Sequence, residues 1–422
     1  MTSRPNLIAR AVLQQFQNLP SKRKPRVRTN GLHDWVPLSG IVAEKNGTLT
    51  CLALATGMKC LPESKISESN GIGIHDWHAE ILAIRTFNRF LLDECGSLLR
   101  DGVESDIVRR TEIVPSSQNG VHVKPFEIRD DVKLHMYCSE APCRCSGGDA
   151  SMELTMALQE DDSPWEAPVS GTPDPESDPE STPKASLLGR GHFSKLGIVR
   201  RKPGRPDAPV TVSKSCSDKI ALKQCTSLLS SLTSLFIDPA NAYIHSLILP
   251  ESQYWPTACR RAFSAEGRMK PMVGRRWPGG YSFKEFVTET TDLEFEYSKR
   301  AIQARSEKVA TSNLAAAWSQ SGVEESIIGG VVQGKKAFNP QGASRMSRRG
   351  MWEAARDLAD SLGQQDPGTA EYLRSGTYRD IKKGPLLEDR RRVKDDVRQT
   401  ALTGWVRNDG GSDFRIEERD NH

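Results

Sequence analysis

No stretch of this 422-residue chain approaches the roughly 18 consecutive apolar residues needed to cross a bilayer, and Met1 to Arg10 hold no apolar core of a secretory leader. The expectation is an intracellular protein, cytoplasmic, nuclear or both. Aromatic residues are scarce at 6%, apolar residues reach only 37% and mean hydropathy is −0.52, so part of the chain is expected to be loop or unstructured insertion. The nine cysteines, scattered from Cys51 to Cys259, are too dispersed and odd in number for a disulfide framework, which leaves them as metal ligands or core thiols. A strong excess of charge is also missing: 58 Lys and Arg stand against 54 Asp and Glu, net +4, so any nucleic-acid contact must come from local clusters. No internal repeat is present.

What is there reads as alternating strands and helices, an α/β pattern. Residues 5–20 place Ile8, Val12, Leu13 and Phe16 at helical spacing, and Lys22-Arg23-Lys24-Pro25-Arg26-Val27-Arg28 follows as a basic segment, either a solvated tether or an RNA contact. From Trp35 to Thr56, two apolar runs around Asn46-Gly47 predict a hairpin with a two-residue turn. A helix is expected from His78 to Leu92 with Asp76 as N-cap, and a strand over Lys133–Cys138, followed beyond Pro142-Cys143 by a helix from about Gly147. Residues 160–187 are acidic, proline-rich and nearly devoid of apolar side chains, which predicts a disordered insertion. A long amphipathic helix is expected from Cys216 to Phe236.

The chemistry-bearing residues gather at predicted helix starts. With 8 histidines and 54 acidic residues, about one His-x-acid triplet such as His78-Ala79-Glu80 arises by chance, so it means little alone. Pro142-Cys143 is also weak, since a lone cysteine is more often a small core side chain. Their combination with Cys216 in Ser215-Cys216-Ser217-Asp218-Lys219 is stronger. Free N–H groups at a helix start favour thiolate, and one nitrogen with two thiolates leaves a tetrahedral zinc one open position. Zinc lowers the pKa of a water there from about 15.7 toward 7, and a carboxylate such as Glu80 at the same helix mouth would shuttle protons. The zinc deaminase pattern H-x-E…P-C-x-x-C is matched only in its first half, because P-C-R-C replaces P-C-x-x-C.

Three segments, His78-Ala79-Glu80-Ile81, Pro142-Cys143 with Gly148-Asp149-Ala150-Ser151, and Ser215 to Ala221, resemble the three zinc motifs of the RNA adenosine deaminase (editase) domain family. Gly57-Met58-Lys59-Cys60, Ser230 to Pro239 and Gly404-Trp405 extend the likeness over most of 35–408, and Lys202-Pro203-Gly204-Arg205 resembles the tRNA-acting branch. The resemblance implies a cytidine-deaminase-like three-layer core, a mixed sheet flanked by helices, with a helical C-terminal extension. It implies an N-terminal helix and basic segment over 1–34, the deaminase domain over 35–408 and a flexible tail over 409–422.

The implied zinc ligands are His78, Cys143 and Cys216, with Glu80 as general acid and base. The residues Arg144 to Gly147 intervene before Asp149, so Cys145 is an alternative to Cys143. The family also buries inositol hexakisphosphate, for which Arg85, Lys219, Ser231, Tyr378, Lys382 and Trp405 match, with Arg348 and Arg390 in place of lysines; Asp76 would link this site to the metal. The implied reaction converts adenosine to inosine 3′ of the anticodon, position 37, in alanine tRNA. Lys59, Arg200, Arg201, Lys202 and Arg205 are the candidate phosphate contacts.

Two other readings compete. An editing enzyme for double-stranded RNA would share the catalytic domain but carries modules that span about 16 base pairs, for which the segments outside the domain are too short. It must also flip a paired base, whereas an anticodon-loop adenosine is already unpaired. The other is a non-catalytic RNA-binding protein with a structural zinc, which would lack Glu80 or add a fourth protein ligand.

Overall fold

The computed structural model describes residues 3–102, 104–111, 124–142, 187–188, 199–202, 209–408 and 410–416. Helix α1 (Arg4–Gln17) is followed by a short strand β1 (His33–Trp35) and the hairpin of β2 (Leu38–Lys45) and β3 (Thr48–Thr56). The hairpin turns at Asn46 and Gly47 with φ of 49° and 77°, the paired left-handed conformation of a tight two-residue connection. Helix α2 (Ala79–Arg100) comes next, then β4 (Val108–Arg110), β5 (Phe126–Ile128) and β6 (Val132–Cys138). Short strands β7 (Leu187–Leu188) and β8 (Arg200–Arg201) pair with each other, and helix α3 spans Cys216–Thr226. Strands β9 (Ile244–Pro250), β10 (Val287–Thr291), β11 (Val309–Thr311), β12 (Ala315–Ser319), β13 (Glu324–Ile328) and β14 (Val331–Val332) complete the strand set among the described residues.

The main sheet has eight strands in the order β10-β9-β6-β2-β3-β12-β13-β14, with β10, β9 and β6 mutually parallel and the other neighbours antiparallel. Its central strands are buried on both faces, as continuous apolar runs require. On one face, Ile8, Val12 and Phe16 of α1 pack with Leu54, Tyr137, Ile248 and Phe295. On the other, α2 and α3 pack beneath a C-terminal helical layer of Arg348–Leu362, Pro367–Arg374, Tyr378–Lys383 and Glu388–Thr400. This is the mixed α/β, three-layer architecture with a helical C-terminal extension that the sequence pattern and family resemblance predict.

Two expectations change. His78 itself, extended at φ −63° and ψ 145°, is the N-cap of α2, and Asp76 accepts from the His78 N–H at 3.0 Å instead of capping the helix. The helix from Cys216 stops at Thr226 instead of reaching Phe236, because Ser227 turns to φ 55° and the freed carbonyls find cations. Lys223 donates to Leu228 O and Leu229 O at 2.9 and 2.8 Å, and Arg390 donates to Thr226 O at 2.7 Å. The helix expected from Gly147 lies outside the described residues, as does nearly all of the acidic insertion. No helix among the described residues is long and apolar enough to cross a membrane.

Candidate active site

The site forms at the sheet end where β3 stops. Gly57 follows β3 with φ +143°, and a Cβ there would lie 2.1 Å from Trp77 O, so only glycine allows the two segments to close. The closure is bonded: Ala79 N–H donates to Gly57 O at 2.9 Å and Trp77 N–H to Lys59 O at 3.0 Å. Lys59 and Cys60 are thereby fixed against the start of α2. His78 and Glu80, two residues apart across the helix start, are both buried.

Helix α3 approaches from the opposite side. Ser215 caps it by accepting from Asp218 N–H at 3.1 Å, which leaves Cys216 as its first residue. The Cys216 thiol donates to Glu80 Oε2 at 3.3 Å, so two residues 136 positions apart meet at the centre. The Lys202 ammonium reaches the same sulfur at 3.1 Å and Asp76 Oδ2 at 3.2 Å. Lys202 is only 3% exposed, which removes it from the RNA-facing set: a buried ammonium needs a carboxylate, and here it has Asp76.

Asp76 ties the centre together. It accepts from His78 Nδ1 at 2.7 Å and from Ser213 Oγ at 2.6 Å, and also takes the Lys219 ammonium. Burial opposes its charge, but Lys202, Lys219 and His78 outweigh burial and hold its carboxyl well below the usual range. Burial and Lys202 likewise oppose a charged His78 ring, yet Asp76 lifts it to about 10. A carboxylate that fixes one ring nitrogen is the usual support for a metal-ligating histidine, and a cation would displace the proton.

The donor chemistry fits a metal. His78 Nε2 is buried without a hydrogen-bond partner among the described residues. Donor atoms of Cys60, Asp76 and His78 lie within 4.8 Å of one another, with Cys60 Sγ 3.5 Å from His78 Nδ1. Cys60, pinned there by the Gly57 to Cys60 segment, faces the same His78 Nδ1 that Asp76 holds and so borders the centre on the side away from the open Nε2. Of the expected ligands, His78 and Cys216 both border Glu80 or Asp76, whereas Cys143 and its alternative Cys145 lie outside the described residues.

A second, cationic recess lies behind the centre. Arg85 from α2 donates to Met346 O at 2.8 Å, and Arg348 donates to Gly411 O at 2.7 Å and sits 5.9 Å from the Tyr378 ring centroid, as does Lys382. Arg390 is buried, and its neighbour one turn on, Lys394, donates to Ser231 Oγ at 3.4 Å. One turn further, Arg398 stacks 5.0 Å from the Trp405 ring, with Lys214 on it at 5.9 Å. Burial first, then Arg348, Arg390, Arg398 and Arg85, push Lys382 down to about 7. Burial and neighbouring cations also lower Lys223 and Lys394 well below the usual lysine value. His75, one residue before Asp76, is lowered to about 2 by burial, Arg348, Arg85 and Lys219, and its buried Nδ1 has no partner among the described residues. Lysines dominated by other cations are an unstable arrangement unless an anion occupies the space between them.

Seven of the eight residues expected around a polyphosphate, Arg85, Ser231, Arg348, Tyr378, Lys382, Arg390 and Trp405, line or adjoin this recess. The eighth, Lys219, turns to Asp76 and so connects recess to centre. Lys223, Lys394 and Arg398 also belong to the recess; they lie outside the family motifs, and the i, i+4, i+8 spacing of Arg390, Lys394 and Arg398 on one helix is the sequence signal for the last two. Of the candidate RNA contacts, Lys59 donates to Asn313 Oδ1 at the site rim, Arg200 and Arg201 form β8, and Arg205 lies outside the described residues.

A family model described as the adenosine-deaminase (editase) domain matches residues 53–409. The chain is 36% identical over 418 residues to tRNA-specific adenosine deaminase 1 of Schizosaccharomyces pombe, covering 97% of this chain and 96% of the relative. It is 33% identical over 248 residues, 58% of each chain, to the protein of that name in Saccharomyces cerevisiae. Similarity to the rat double-stranded RNA-specific editase B2 is 29% over 231 residues, 50% of this chain but 26% of that protein. With its buried His78–Glu80–Cys216 centre and these matches, the chain belongs to the adenosine-deaminase (editase) domain family.

Proposed function

We propose that this protein deaminates adenosine to inosine in tRNA, at position 37, 3′ of the anticodon in alanine tRNA, with zinc held by His78, Cys216 and Cys143 or Cys145. The observation that carries the reading is the meeting of Glu80, on the first turn of α2, with Cys216, on the first turn of α3, beside a histidine with an open nitrogen. The relatives' names supply the substrate class. Zinc held there would supply a hydroxide-like nucleophile at neutral pH.

The chain's own groups do the rest. Glu80 takes a proton from the attacking water, passes it to adenine N1 as C6 gains oxygen, and delivers the second proton to the departing amine, so that water and adenosine become inosine and ammonia. Burial of Glu80 keeps bulk water from competing for those protons. Asp76 orients His78, and Lys202 holds the Cys216 sulfur by a hydrogen bond from its ammonium.

The cationic recess is read as the seat of inositol hexakisphosphate. Its support is the set of lysines whose charge is opposed by burial and by one another, and the Lys219–Asp76 bond that joins it to the centre. A bound polyphosphate would be structural: it would neutralise the recess and fix the C-terminal helices against α2 and α3.

The test is inosine mapping on alanine tRNA and on a perfect RNA duplex incubated with purified protein. Inosine at position 37 and none in the duplex is expected. Inosine confined to the duplex would move the assignment to double-stranded RNA editing, and none in either RNA from zinc-loaded protein would remove the enzymatic reading.

A further inference from the structure

Residues 19–33 contain five basic side chains, Lys22, Arg23, Lys24, Arg26 and Arg28, and no acidic one. A free tether would leave all five in solvent. Here three of them pin the segment to the fold. Arg23 Nε binds Glu324 Oε1 at 2.9 Å and its Nη1 binds Ser326 Oγ at 3.0 Å; Lys24 donates to Gln17 O at 2.6 Å; Arg28 binds Asp34 Oδ1 and Thr311 O at 2.7 and 2.9 Å.

The backbone is fixed as well. Val27 bridges His33 on one side of β1, Asp34 N–H donates to Arg26 O at 3.1 Å, and β11 pairs with the other side through His33 and Val309. Residues 26–28 and 308–311 thus flank one short strand, with the outer two segments about 10 Å apart at ordinary strand spacing. Arg26 and Lys308 on this ribbon, and Lys22 in the turn of Ser21–Arg23 just before it, are exposed and have no side-chain hydrogen bond or ion pair among the described residues. The acids that could neutralise it are largely engaged: Glu324 by Arg23 and Asp34 by Arg28, leaving exposed Glu307 beside Lys308.

The ribbon leads into the active site. From Thr311, held by Arg28, the chain runs two residues to Asn313, which accepts from Lys59, and Lys59 O accepts from Trp77 N–H beside His78. At its other end, Arg23 grips Glu324, which pairs with Trp318, three residues and roughly 10 Å along β12 from Ala315 at the site end. A fixed cluster of exposed cations, with exposed Glu307 beside it, on a ribbon that runs to the site mouth fits a nucleic-acid backbone better than a neutral partner.

We propose that Lys22, Arg26 and Lys308 form a phosphate-binding ridge that holds the stem of the RNA whose unpaired adenosine enters at Glu80. The inference rests on the RNA-deaminase reading above. The ridge positions the stem and does not read its sequence, so its contribution is electrostatic and salt-dependent.

The test compares wild-type protein with a Lys22→Ala, Arg26→Ala, Lys308→Ala variant, using alanine tRNA transcript as probe. The variant should bind at least roughly fivefold more weakly at moderate salt, with a slope of log affinity against log salt shallower by about 2–3 for three lost phosphate contacts. Its thermal unfolding and its single-turnover deamination rate at saturating tRNA should match wild type, since none of the three touches the reacting atoms. Wild-type affinity and slope in the variant would overturn the ridge. If wild-type protein neither binds nor deaminates the transcript, the RNA-deaminase reading fails first, a distinguishable result.

Discussion

Asp76 is the residue on which the centre's electrostatics turn. It is 5% exposed and faces two ammonium groups and an imidazole, so Asp76→Asn would take a carboxylate from buried Lys202, from partly exposed Lys219 and from His78. Breaking a buried pair in this way costs about 3–5 kcal/mol, and urea denaturation of the metal-free protein should show a loss of that size. Lys202→Met should cost less, because Lys219 and Ser213 still satisfy Asp76, but it should weaken zinc affinity by removing the donor to Cys216. Equal destabilisation by both substitutions would contradict this ranking. At this scale the sequence was uneven as a guide. His78, Glu80 and Cys216 were legible from their motifs, whereas Lys202 sat in an Arg-Arg-Lys run that looks like surface charge, and only the fold reveals the carboxylate it is buried against. Cys60 was legible as part of a motif but not as a neighbour of His78, because the Gly57–Trp77 closure that joins them is a long-range backbone contact.

Elements bring these residues together through their ends. Helices α2 and α3 both begin at the site, and a start is defined by its cap. Ser215→Ala removes the side chain that accepts from Asp218 N–H and should cost about 1 kcal/mol, with a matching shift in thermal midpoint, while also loosening Cys216. Gly57→Ala should be more severe, since a Cβ at 2.1 Å from Trp77 O cannot be absorbed by a side-chain shift; loss of bound zinc with the folded circular dichroism largely retained is the expected result. The β2–β3 hairpin was readable because Asn46-Gly47 between apolar runs has few other meanings. The end of α3 was not, because apolar residues continue at helical spacing past Thr226. What stops the helix is partly tertiary: Arg390 from the last helix bonds the Thr226 and Leu229 carbonyls, while Lys223 of α3 itself closes locally on Leu228 and Leu229.

Across the whole molecule, the cationic recess couples the C-terminal helices to the catalytic layer. A lysine lowered on folding from its ordinary value to about 7, as Lys382 is, binds fewer protons folded than unfolded, so stability rises as pH climbs from about 7 toward 10.5. Arg85, Arg348, Arg390, Arg398, Lys223 and Lys394 act on it in the same sense or share its recess. Zinc-loaded protein with no added anion, in which His78 no longer titrates, should therefore melt at higher temperature at pH 9 than at pH 7. If the proposed site holds inositol hexakisphosphate, a saturating amount should raise the midpoint most at pH 7, where the recess is charged, and remove that trend. A midpoint indifferent to both pH and polyphosphate would separate this recess from any anion. The mixed sheet and helical layers were foreseeable from strand–helix alternation and the family resemblance, but the merging of Arg85, Lys382 and Arg390 into one recess depends on α2 meeting two consecutive C-terminal helices that lie far from it in the chain.

The central claim is that Glu80 moves protons at a metal centre built on His78 and Cys216. It is tested most directly by single-turnover inosine formation on alanine tRNA with wild-type and Glu80→Ala protein matched for zinc content. Equal zinc in both proteins and a rate for Glu80→Ala lower by about 10²–10⁴-fold are expected. A Glu80→Ala protein that keeps its zinc and forms inosine within a few-fold of wild type would contradict it.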